Sequence, residues 1–180
     1  MKKMIFIALT AVFIFTRCGD NSTDPVPDVS TRISVTGDIT ESYDAMAYYL
    51  PATVESDTIT EYFIILILPR KTGENVLAGA WLYKSGLELP GAQNYQIGEY
   101  ALGEDIPPGD FGGSYSGLNA VDLSGYTMTD GSLNIQTVSG SKITGEFSMS
   151  GYWRMGIGSD PSRTVTVNGK FSAVPAPEET

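Results

Sequence analysis

Four carboxylates crowd into one short stretch of this 180-residue chain: Glu99, Glu104, Asp105 and Asp110 all lie within EYALGEDIPPGD. Two carboxyl groups at a suitable separation can hydrolyse a glycosidic bond, one as acid and the other as base or nucleophile. Several together can hold Ca2+, a hard cation that prefers oxygen ligands. The spacing of an EF-hand loop is absent, so the first expectation for these residues is a solvated acidic loop, with calcium binding behind it and catalysis last. Other chemistries fall away by composition. The chain has no histidine and a single cysteine, Cys18. Ser-His-Asp and Cys-His nucleophile systems therefore cannot be built, and neither can the usual zinc sites. No glycine-rich loop opens a helix to cradle phosphate. No cofactor is expected, and no catalytic residue is assigned.

A second group of candidates is aromatic. Tyr48, Tyr49, Trp81, Tyr83, Tyr95, Tyr100, Tyr115 and Tyr152 could line a ligand-binding face, because amphipathic rings favour binding surfaces. Strands are rich in such rings for packing reasons alone, and the alternation of Trp81 and Tyr83 reads first as core.

The elements that must position these residues are strands. From Gly131 to Ala173 the sequence runs GSLNIQTVSGSKITGEFSMSGYWRMGIGSDPSRTVTVNGKFSA. Leu133 and Ile135, then Ile143, Phe147, Met149 and Trp153, then Val165, Val167 and Phe171 alternate with polar residues, as half-buried antiparallel strands do. Turn signals at Ser139-Gly140-Ser141 and at Gly156 to Pro161 separate the three runs. Opposing Phe147 to Gly169 also opposes Gly145 to Phe171, so each ring covers a glycine on the facing strand. That register places Glu146 opposite Lys170. A slip of one residue would carry the apolar set into water, whereas a slip of two would keep it inside, so that alternative stays open.

Earlier in the chain, Ile33, Val35 and Ile39 alternate with polar neighbours. Asp44 to Leu50 predicts a strand ended by Pro51. Glu61 to Leu68, EYFIILIL, is almost continuously apolar and predicts a strand buried on both faces or crossing the centre of a sandwich. Val76 to Tyr83 would be its hairpin partner after a turn at Arg70 to Asn75. Asn94 to Tyr100 and Phe111 to Leu118 are shorter runs flanking the acidic loop, and Asn119 to Asp130 leads into the C-terminal strands. The expected fold is all-β, an antiparallel meander of about nine or ten strands forming a sandwich or a closed barrel.

The runs GSLNIQTVSGSKITGEF and TVTVNGKFSAV, with their repeated Gly-x-Phe endings, resemble a group of uncharacterised lipoproteins of Bacteroidota-type bacteria. The resemblance covers roughly the last 50 residues well and the earlier strands loosely. It implies an anchored all-β domain and supplies no catalytic residue.

The N-terminus agrees with an anchored protein. Lys2 and Lys3 precede a 12-residue apolar run, Met4 to Phe15. That is too short for a bilayer span, which needs about 20 residues, and suits a secretory signal. Cys18 follows at a lipobox-like position, although Arg17 stands where a small residue is usual. The expected organisation is a lipoprotein signal peptide over 1–17, lipidated Cys18 with a flexible tether over 18–31, one all-β domain over 32–173 and a frayed tail over 174–180. Export and anchoring to the outer membrane, on its periplasmic or surface face, follow from that reading. Two or three acyl chains hold a protein firmly where one is marginal.

The net charge is -10, from 11 basic and 21 acidic residues. Loss of Lys2, Lys3 and Arg17 with the signal would leave eight basic residues against 21, a net charge of -13. Such a chain disfavours nucleic acid, whose binding depends on neutralised phosphates. The expected function is a non-catalytic cell-envelope lipoprotein, a binding or interaction module whose partner is a glycan or an envelope protein. The alternative is a carboxylate-dependent glycan hydrolase or a calcium-dependent glycan-binding module built on Glu99 to Asp110.

Overall fold

The computed structural model describes residues 31–55, 59–70, 78–118, 125–155 and 158–177. The expected signal peptide, Cys18 and nearly all of the expected tether lie outside them, as does most of the turn expected at Arg70 to Asn75. The described residues form nine strands: β1 Arg32–Gly37, β2 Glu41–Glu55, β3 Ile59–Pro69, β4 Gly79–Ser85, β5 Asn94–Gly98, β6 Asp110–Ser116, β7 Gly125–Ser139, β8 Lys142–Met155 and β9 Gly158–Pro175. They close into a barrel in the order β1-β2-β3-β4-β6-β5-β7-β8-β9, with β1 pairing β9 to complete the ring.

The C-terminal hairpin has the register its side chains dictate. Phe147 opposes Gly169, Gly145 opposes Phe171 and Glu146 opposes Lys170. A Cβ at Gly169 would lie 2.6 Å from the Phe147 ring, and one at Gly145 would lie 2.9 Å from the Phe171 ring. Each ring thus occupies the volume that the facing residue lacks. The two rings themselves pack with centroids 6.4 Å apart. On the outer face Lys170 Nζ lies 3.5 Å from Glu146 Oε2.

The interior is packed with one side-chain set from every strand. Ile33, Val35, Phe63, Ile65, Ile67, Leu82, Phe111, Met128, Leu133, Phe147, Val167 and Phe171 are among its buried members. Trp153 is half-buried and packs against this set from its margin. β7 spans enough of the wall to pair with three neighbours. Bulges between Met128 and Asp130 and between Ile135 and Thr137 bend it, and such extra residues sharpen local twist and let a long strand follow a curved wall. β1 stops at Gly37, whose φ of 118° lies in the region that favours glycine. The Thr164 carbonyl oxygen there takes the space a Cβ would need.

Local features depart from the sequence expectations; one is that the turn expected at Gly156 to Pro161 is already strand from Gly158 on. The meander is interrupted once: β6, not β5, lies beside β4, and β5 runs parallel to β6. Parallel neighbours need a long crossover, and residues 99–109 supply it. Pro51 does not end its strand. It opposes Phe63 within β2, which continues to Glu55. The flank of β2 away from β3 pairs with β1 up to Asp44 and with β9 from Ala47 to Tyr49. Pro51 lies beyond both, where a missing N–H leaves no ladder bond unmade. The tail also starts later than residue 174. Val174 is buried, Pro175 opposes Tyr49, and the Ala176 N–H donates to the Tyr49 carbonyl at 2.9 Å.

Candidate functional site

The acidic segment is the crossover between β5 and β6. β3 explains its course. Phe63, Ile65 and Ile67 point into the barrel, and Tyr62, Ile64 and Leu66 are buried on the outside. An outward apolar row must be covered. Tyr83, Ile106 and the partly buried Trp81, Tyr100 and Leu102 cover it, forming a second cluster outside the wall. Tyr62 and Tyr83 meet edge to face with centroids 6.2 Å apart.

Hydrogen bonds pin the crossover to this cluster. The Tyr62 hydroxyl donates to the Glu104 carbonyl at 2.7 Å and accepts from the Gly103 N–H at 2.7 Å. The Tyr83 hydroxyl donates to the Tyr100 carbonyl at 2.6 Å, and the Ile106 N–H donates to Ser85 Oγ at 2.8 Å. Burial pushes the Tyr83 phenol well above its ordinary range.

Each predicted carboxylate has its own place in this frame. Glu99 Oε1 accepts from the Tyr152 hydroxyl on β8 at 2.7 Å. Glu104 Oε2 accepts from the Ala101 N–H at 3.0 Å, closing a turn. Asp110 Oδ2 accepts from the Tyr100 hydroxyl at 2.7 Å. Asp105 is exposed. The phenols of Tyr100 and Tyr152 are raised, first by these hydrogen bonds to Asp110 and Glu99. The structure therefore gives Glu99, Glu104 and Asp110 separate donors: Tyr152 on β8, the Ala101 N–H within the crossover, and Tyr100 beside the start of β6. Among the described residues, no group of three or more His, Cys, Asp or Glu side chains is placed to hold a metal ion.

The aromatic candidates divide between the two cores. Tyr49, Tyr95 and Tyr115 belong to the barrel interior, Tyr83 and Trp81 to the outer cluster. Tyr48, Tyr100 and Tyr152 are half-buried, and the last two serve the carboxylates just described.

A polar cluster that the sequence did not reveal lies at the barrel end where β1 stops and β9 begins. Asp38 Oδ2 accepts from the Tyr126 hydroxyl at 2.6 Å and from Arg163 Nε at 3.0 Å, with Arg163 Nη2 at 2.9 Å. The Arg163 guanidinium sits 4.9 Å from the Trp153 ring centre, in cation–π range. The Tyr126 hydroxyl and then Arg163 hold the Asp38 carboxyl below its ordinary value. Tyr126 is pushed up to about 12, chiefly by burial and then by Asp38.

Beside it the Tyr115 hydroxyl donates to Glu41 Oε1, and Tyr43 donates to Tyr115 at 3.3 Å. Burial raises Tyr43 to about 12 and Tyr115 further still. The Leu118 N–H reaches both Glu41 oxygens at 3.4 Å. These carboxylates bind phenols, a guanidinium and an amide, so they act as clamps between strands. The partners stand 88 and 125 residues from Asp38 in sequence, and no local pattern announces such pairs.

Scans of family models, curated proteins and solved structures found no match to this chain.

Proposed function

We propose that this protein is an exported, lipid-anchored and non-catalytic binding or interaction module of the cell envelope, of the kind its C-terminal Gly-x-Phe runs resemble. The observation that carries the non-catalytic part is the use of the acidic segment. Three of its four carboxylates accept hydrogen bonds from three different donors, and its backbone serves as a cover for the apolar outer row of β3. Hydrolysis by a carboxylate pair requires two groups facing one substrate position, and the segment offers that reading no support.

The anchored part rests on the sequence. A basic start, an apolar run of signal length and Cys18 precede GDNSTDPVPDVS, a polar, proline-bearing spacer that would hold the domain off the membrane. Binding to a glycan or an envelope protein, without nucleic acid, agrees with the strongly acidic chain. The test is metabolic labelling with a radioactive fatty acid. The natural chain takes up label and Cys18→Ser does not; equal labelling of the two would overturn the anchor.

A further inference from the structure

The outer face of β1, β9, β8 and β7 carries a groove of about 570 Å3 that no part of the reading above uses. Its base is one cross-strand row. Ser34 opposes Asn168, Asn168 opposes Ser148 and Ser148 opposes Ser132. A parallel row of longer side chains forms one wall, with Arg32 opposite Lys170, Lys170 opposite Glu146 and Glu146 opposite Asn134. The trench crosses four strands at right angles to their run, a span of about 14 Å at the usual strand spacing.

The lining has a definite chemistry. Ser34, Asn168, Ser148, Ser132 and Asn134 all line the groove, and among the described residues their side chains have no hydrogen-bond partner. Elsewhere on the same face hydroxyls satisfy one another across strands, Thr137 with Thr144 at 2.6 Å and Ser150 with Thr166 at 3.0 Å. The groove thus presents hydroxyl and amide groups that both donate and accept, with their capacity free. Two of its three charges cancel, Lys170 against Glu146 at 3.5 Å, and the third, Arg32, donates its Nε–H to Ser42 Oγ at 3.4 Å, outside the groove.

We propose that this groove binds a neutral oligosaccharide laid across the strands. A polyhydroxylated chain of that length matches alternating donors and acceptors without net charge. An added peptide strand needs a free sheet edge, and β1 is paired with β9 at this point. An apolar ligand would leave five polar side chains desolvated and unpaired. The proposal rests on reading the protein as a binding module, and it is independent of the lipid anchor.

The test uses the purified full chain on an array of neutral glucan, mannan, xylan and N-acetylglucosamine oligomers, with uronic-acid and sialylated oligomers alongside. At least one neutral oligomer of three or more units is retained. Asn168→Trp or Ser148→Trp, which fills the trench from an exposed position, weakens that retention at least tenfold with an unchanged melting temperature. The paired substitution Asn168→Ala with Asn134→Ala gives a loss in the same direction without added bulk. Retention of acidic oligomers alone, or of none, overturns the proposal. Neutral binding that survives all these substitutions also overturns the groove while leaving a binding module in place.

Discussion

The two sides of the barrel solve the same burial problem differently. On the β7–β8–β9 side one face is apolar and the other meets water, so strict alternation suffices and glycine–aromatic pairs set the register. On the β3–β4 side both faces of the wall are apolar, and an added layer must come from elsewhere in the chain. The crossover between β5 and β6 is that layer. The same glycine device recurs here: the Tyr83 ring lies where a Cβ of Gly112 would be, and Gly112 opposes Tyr83 across β4 and β6. The difference teaches that acidic residues can accumulate in a loop because its backbone and apolar side chains are needed as a lid, with the carboxylates left at the rim to accept hydrogen bonds.

That contrast can be broken most strongly at the alternating side. Phe147→Ala empties the space over Gly169 and costs about 3–5 kcal/mol, the usual range for a buried ring, read by chemical denaturation. On the covered side Tyr62→Phe keeps the ring and removes the hydroxyl that serves Gly103 and Glu104. The Gly103 N–H is half-buried, so the cost falls at or below the lower end of the about 1–3 kcal/mol of a fully buried unsatisfied group, and residues 99–109 loosen without disturbing β8 and β9.

A third test concerns acid. The Asp38 pKa is lowered in the fold from an ordinary 3.8, so its contribution is present above about that pH and is lost as pH falls through the lower folded value. Asp38→Asn therefore flattens the acid limb of the stability–pH curve below about pH 4 and changes its shape little near neutrality. The smallest effect is at the exposed pair. Glu146→Ala and Lys170→Ala, combined in a double-mutant cycle, yield a coupling of about 0.2–1 kcal/mol, which falls as salt is added.

How legible each side was follows from the same contrast. The register of Phe147, Gly169, Gly145 and Phe171 could be read because alternation rules out a one-residue slip and ring-over-glycine pairing favours this register over a two-residue slip. The continuous run Glu61 to Leu68 announced a strand buried on both faces or crossing a sandwich centre, but a run of this kind does not say what covers it. Nor does it say that β5 and β6 exchange places, since neither short strand carries a pairing preference strong enough to choose its neighbour. Pro51 misled because its effect depends on whether a strand lies on its N–H side, a tertiary fact. For the carboxylates, Glu99 to Asp110 stood out as a cluster in sequence and were assigned first to a solvated loop. The loop is there, and its hidden half is the apolar face of Tyr100, Leu102 and Ile106. The Asp38 and Glu41 clamps depend on partners far along the chain and left no trace in composition.

The central claim is that residues 99–109 are a structural lid on the outer row of β3. Native-state hydrogen exchange reads it directly at two amides, those of Gly103 and Ile106, which donate to Tyr62 and Ser85. The account predicts that both exchange as slowly as the interior of β3 and are lost together in Tyr62→Phe. Exchange of both at the rate of an open loop, with β3 and β8 still protected, would contradict it.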